Sequence, residues 1–221
     1  MRMFNAHTWL VLSTTGLALV TQLSLSAQLI ASAELAQIIA KYGRSAGQRV
    51  AQWQVLMNHS SLATDEEKLQ RVNDFFNQIR FIDDAHHWRK EDYWATPLEL
   101  LTTHGGDCED FAIAKYFTLL ELGVDENKLR MTYVTATNYN QPHMVLTYFA
   151  KPNASPLVLD NLNRQILPAT QRDDLVPVYS FNGTGLWMAK TIGSGKQVGN
   201  SAHLNAWQEL KQRMQLDLSS H

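Results

Sequence analysis

The chain of 221 residues has one cysteine, Cys108, so no intrachain disulfide can brace it. Its net charge is only -2, which argues against a broad nucleic-acid-binding face. There is no block of like charges to form an electrostatic tail. Internal repeats and low-complexity linkers are also missing. The one marked apolar run, Trp9 to Val20, meets Gln22 before it reaches the ~20 residues that a membrane span needs. No other segment could span a membrane. Hydrophobic residues make up 45% of the chain, enough for a globular domain with a real core.

The start of the chain differs from the rest. Arg2, the apolar run and then small and polar residues ending in Ala31-Ser32-Ala33 follow the order of a secretory signal peptide. Cleavage is expected after Ala33 or Ala27, and an uncleaved anchor is the alternative. That leaves 34–221 as a single expected domain.

Leu35, Ile38, Ile39 and Tyr42 recur at helical spacing and predict a helix from Glu34 to about Asn58, weakened locally by Gly43 and Gly47. Thr64 with Glu67 reads as a capping box opening a second helix, with Leu69, Val72, Phe75, Phe76 and Ile79 as its apolar stripe. Phe81 to Gly106 reads as irregular. Its adjacent His86 and His87 would point opposite ways on an extended segment, so they are read as surface-loop residues rather than shared metal ligands. Pro97 opens a short helix. A further helix runs from Asp107 to Leu122, with Gly123 at its end. Strand-like segments follow at Leu129–Ala136, His143–Ala150 and Leu157–Leu162, and two more are joined by a turn at Asn182–Gly183. An amphipathic helix spans Ala202–Leu216. Helices first and antiparallel strands afterwards predict an α+β fold.

Cys108 therefore falls in the first turn of a buried helix, where the dipole and free N–H groups favour a thiolate and a developing oxyanion. Its neighbours Asp107, Glu109 and Asp110 oppose ionisation. Downstream, His143 starts one strand and Asp160 ends the next. In an antiparallel sheet the start of one strand lies beside the end of its neighbour, so the two side chains could meet at one edge, facing Cys108. Taken separately, His143 reads as a polar strand cap and Asp160 as a turn residue. The order Cys, His, Asp on helix, strand and strand raises the reading of a thiol hydrolase.

The stretch "GGDCEDFAIAKYFTLLELG", followed by "HMVLTYF" and "LVLDNLN" and preceded by "YWATPLELL", resembles the bacterial transglutaminase-like cysteine proteases of the LapG type. The resemblance spans roughly Tyr93 to Asn163 and implies the transglutaminase-like, papain-like fold. Cys108 would be the nucleophile, His143 the general base and then acid, and Asp160 the orienting carboxylate of a thioester route to peptide hydrolysis. It also implies calcium, with Asp107, Glu109 and Asp110 as ligands. Close carboxylates suit a hard cation independently of the family, whereas the alternative is acids that complement a helix dipole. The implied setting is the periplasm. The implied substrate is the N-terminal region of a large cell-surface adhesin, cut at an alanine pair to release it and promote biofilm dispersal. The implied partner is a LapD-like inner-membrane cyclic-di-GMP receptor, docked through a surface tryptophan for which Trp94 and Trp88 are candidates. Two other readings stay open: transfer of the acyl group to an amine, as in transglutaminases, and a non-catalytic periplasmic binding module with Cys108 as a core thiol.

Overall fold

The computed structural model describes residues 33–58, 64–188 and 195–219. The expected signal peptide, apart from its last residue, lies outside them. Residues 33–42 form helix α1 and Arg44–Met57 form α2. The single helix expected here is broken at Gly43, whose φ of 89° is a left-handed value that glycine adopts without a Cβ clash. Helix α3, Asp65–Phe76, opens on the Thr64–Glu67 capping box and buries Leu69, Val72 and Phe76, as its stripe predicts.

The segment between 81 and 106 is more ordered than its sequence suggests. Besides the short helix expected at Pro97, α5, Pro97–Thr103, it holds α4, Asp84–His87. Arg80–Phe81 (β1) pairs in parallel with Gly105–Gly106 (β2). Two-residue strands carry no alternation, so nothing in the sequence announces them. His86 and His87 lie on α4 rather than on an extended chain. They bond to different partners, His86 Nδ1 to Asp83 at 2.6 Å and His87 Nε2 to Thr103 Oγ1 at 2.9 Å.

Helix α6, Cys108–Glu121, buries Phe111, Ile113, Tyr116 and Leu119. It packs against α3, α5 and the main sheet. Among the described residues that sheet is antiparallel between neighbours and has seven strands, in the order β6-β5-β4-β3-β7-β8-β9. The strands are β3 Leu129–Ala136, β4 Gln141–Tyr148, β5 Leu157–Leu159, β6 Leu167–Pro168, β7 Leu175–Phe181, β8 Leu186–Met188 and β9 Lys196–Gly199. Strands β6 and β9 were not expected from the sequence. β4 also starts earlier than expected, because Gln141 and Pro142 pair with Ala136 and Thr135, making His143 its third residue. Helix α7, Asn205–Ser219, stacks Trp207 on Phe117 of α6 with centroids 5.5 Å apart and sets its ring edge-on to Phe181 of β7. α7 thus clasps the helical layer to the sheet.

Candidate active site

Cys108 is placed by the turn that precedes it. Gly106 has no room for a side chain: a Cβ there would lie 2.4 Å from Asp110 Oδ2 and 2.7 Å from Leu100 Cδ1. Asp107 follows in an extended conformation as the N-cap of α6. Asp110 accepts the Asp107 N–H at 3.2 Å and the Ala95 N–H at 2.6 Å, tying the helix start to the segment before α5. The Cys108 thiol donates to Glu109 Oε2 at 3.0 Å. The backbone N–H of Met144, the residue after His143, favours the thiolate. Burial, and then the Glu109 and Asp107 carboxylates, push the thiol well above its usual range.

His143 and Asp160 do meet. β5 pairs Leu159 with Leu146 of β4, and continuing that register carries Asp160 towards His143. His143 Nε2 lies 2.8 Å from Asp160 Oδ1, with the two residues 4% and 1% exposed. Asp160 Oδ1 also accepts the Leu162 N–H at 3.0 Å, and Oδ2 accepts Arg172 Nη2 at 2.7 Å. Asn77, the C-cap of α3, donates to the Asp160 carbonyl at 2.8 Å. Burial alone would raise the Asp160 carboxyl, but the His143 and Arg172 hydrogen bonds outweigh it and hold it down at about 2. An ionised Asp160 keeps the proton of a neutral His143 on Nε2, which leaves Nδ1 as the basic nitrogen. Among the described residues, no hydrogen bond joins Cys108 to His143; the thiol proton is held by Glu109.

The acidic residues gather into a larger cluster than the sequence indicates. Carboxylate oxygens of Asp84, Asp92 and Glu109 lie within 4.8 Å of one another, and so do those of Asp84, Asp107 and Asp110. Burial, and then repulsion from Glu109 and Asp92, push Asp84 up to about 6, even though Tyr93 N–H donates to it. Asp107 and Asp110 are raised further, by burial first and by Glu109 next. Asp84 Oδ1 and Asp107 Oδ1 are buried with no hydrogen-bond partner. Buried, mutually repelling carboxylates with orphaned oxygens fit a hard divalent cation such as Ca²⁺, which takes oxygen ligands. Asp84 and Asp92 escaped the sequence reading because they enter from α4 and the loop after it. The only available signal was the acid content of that stretch.

Both tryptophans singled out for docking are now placed. Trp94 is 9% exposed and stacks on Phe181, with centroids 5.7 Å apart. It is a core residue, which removes it as a docking candidate. Trp88 is half-buried between His87 and Tyr93.

The profile of the family described as bacterial transglutaminase-like cysteine proteinase (BTLCP) matches residues 44–189. Three solved structures of Legionella pneumophila LapG are similar to the chain. The first, described as LapG, is 40% identical, covers 82% of this chain and 96% of its own, and superposes with a TM-score of 0.71. An EGTA-treated form gives the same identity and coverage, with a TM-score of 0.72. A calcium-bound form is 41% identical over 82% of this chain and 97% of its own, with a TM-score of 0.70. No curated protein sequence matches. With mixed helices, an antiparallel sheet and a lone cysteine opening a buried helix beside that sheet, the chain belongs to the bacterial transglutaminase-like cysteine proteinases and has their LapG fold.

Proposed function

We propose that this cysteine proteinase is a calcium-dependent periplasmic endopeptidase that cleaves the N-terminal region of a large cell-surface adhesin and so promotes biofilm dispersal. The observation that carries the catalytic part is the buried His143–Asp160 pair at 2.8 Å, with His143 on β4, the strand against which the helix opened by Cys108 packs. In this reading His143 Nδ1 takes the thiol proton as Cys108 attacks the scissile carbonyl. The tetrahedral oxyanion is received by the Cys108 backbone N–H at the head of α6. His143 then gives its proton to the leaving amine, and a thioester forms. Water, deprotonated by His143, attacks the thioester, and the returning proton restores the thiol. Asp160 stays ionised and stabilises the imidazolium throughout.

Calcium would be held by Asp84, Asp92, Asp107, Glu109 and Asp110. Its charge would offset the carboxylates beside the thiol and tie the loop carrying Asp92 to the start of α6. Support comes from the orphaned buried oxygens and from the existence of calcium-bound and EGTA-treated forms of Legionella pneumophila LapG. Among the described residues no helix is long and apolar enough to cross a membrane. The periplasmic setting rests on the signal-like residues 1–33 and on the LapG resemblance. The same resemblance proposes a LapD-like cyclic-di-GMP receptor as partner, with Trp88 the remaining docking candidate.

Isothermal titration calorimetry on EGTA-stripped protein, run beside cleavage of a recombinant adhesin N-terminal fragment, tests this. Calcium should bind stoichiometrically and switch cleavage on. Cys108→Ala should bind calcium normally and cleave nothing. Cleavage that persists in Cys108→Ala, or in EGTA, would sink the corresponding half of the proposal.

A further inference from the structure

Arg172 is a buried cation that sequence reasoning does not connect to the site. It is 4% exposed, yet it bridges two carboxylates of unequal burial. Its Nη2 donates to Asp160 Oδ2 at 2.7 Å and to Asp174 Oδ2 at 2.8 Å, and its Nε donates to Asp174 Oδ1 at 2.8 Å. The Asp160 side chain has no exposure, whereas that of Asp174 is 34% exposed. Short backbone bonds hold the residue in place: Arg172 N–H to the Ala169 carbonyl at 3.2 Å, and Leu175 N–H to the Arg172 carbonyl at 3.0 Å. Asp174 is in turn fixed to the far end of β3 by Thr137 N–H, which donates to its carbonyl at 2.9 Å.

Both oxygens of Asp160 are therefore assigned. Oδ1 faces His143 and the Leu162 N–H, and Oδ2 faces Arg172. Without the guanidinium, Oδ2 would be a buried acceptor with no cation, and such groups take up a proton or turn to find another partner. A protonated carboxyl can present a donor to His143 where an acceptor is needed. The planar fork matters as well, because a lysine offers a point charge that cannot hold two carboxylates in one fixed geometry.

We propose that Arg172, through Asp174 behind it, is a positioning residue for the peptidase reaction: it saturates Asp160 Oδ2 so that Oδ1 fixes the His143 ring with its proton on Nε2. This rests on the Cys108–His143–Asp160 reading above.

The test combines ¹⁵N NMR of the His143 ring with steady-state kinetics on the recombinant adhesin fragment at saturating calcium. Wild type should show Nε2 protonated and Nδ1 free at neutral pH. In Arg172→Gln that single tautomer should be lost, and kcat should fall about 10- to 100-fold with KM changed less than about twofold, the scale expected when a reacting group is misplaced. Arg172→Lys should fall between the two. A wild-type tautomer with unchanged kcat in Arg172→Gln overturns the proposal. Should that variant fail to fold, Asp174→Asn decides: tautomer mixing with a reduced kcat supports the role, and wild-type behaviour in both overturns it. Cys108→Ala separates the two claims. If it still cleaves, the peptidase reading fails, while the NMR comparison still decides what Arg172 does.

Discussion

The Cys108 thiol donates to one acceptor, Glu109, while the proposed reaction needs it to give its proton to another, His143. Glu109 holds its proton in place, and the basic nitrogen of His143 would remove it. Glu109 also belongs to the acidic cluster, so whatever engages that cluster competes for the group that keeps the thiol neutral. Asp84 is the residue whose role the sequence hid most completely. Asp84→Asn should weaken calcium binding about 10- to 100-fold, as loss of a metal-site carboxylate or its support typically does, and calorimetry reads this directly. Gly106→Ala should destabilise the protein by about 1–3 kcal/mol in urea denaturation, because the new methyl meets Asp110 Oδ2 and Leu100. Cys108, His143 and Asp160 could be singled out because each lies at or within two residues of the end of an element with a clear hydrophobic pattern, and the structure brings His143 and Asp160 together. Arg172, Asp84 and Asp92 could not, because they reach the site through turns and short helices that leave no periodic trace.

At the scale of elements, α6 joins the two halves of the chemistry. Its first turn carries the thiol and two of the acids, with Asp107 as N-cap, and its body is buried against α3 and β4. About two turns beyond Cys108, Lys115 is fully buried with its Nζ 2.9 Å from Asn73 Oδ1. Burial lowers it to about 7, against the pull of Asp160. α7 supports α6 from behind through Trp207. Trp207→Ala should cost about 3–5 kcal/mol, the usual range for a buried tryptophan, seen as a lower denaturant midpoint. Most elements were readable from capping and periodicity: the Thr64–Glu67 box, Pro97 at the head of α5 and the Asn182–Gly183 turn all fall where expected. The miss at 81–106 has a physical cause. The missed helix, α4, is too short for a period, and a parallel two-residue ladder between Arg80 and Gly106 is a long-range pairing.

For the whole molecule, the buried acids link stability to pH and, through the proposed site, would link it to calcium. Asp84 has an ordinary value of 3.8 and a folded value of about 6, so the folded state holds its proton more tightly than the unfolded state. Its contribution is present below the ordinary value and is lost as pH rises through about 6; Asp107 and Asp110, raised further, extend that loss upwards. Asp160 has the opposite sign. Its stabilisation is present above 3.8 and is lost as pH falls towards about 2. Calorimetric melting in EGTA should therefore give a Tm that declines from mildly acidic pH to pH 8, and calcium should raise Tm more at pH 8 than at pH 5. A calcium effect independent of pH would contradict this linkage.

In the proposed function, Cys108 cuts a peptide bond in a calcium-dependent reaction. Mass spectrometry of the recombinant adhesin fragment after incubation, with calcium or EGTA, tests it most directly. One new pair of termini that appears only with calcium, and never with Cys108→Ala, is the predicted result. Isopeptide cross-links in place of new termini, or the same cleavage in EGTA, would contradict it.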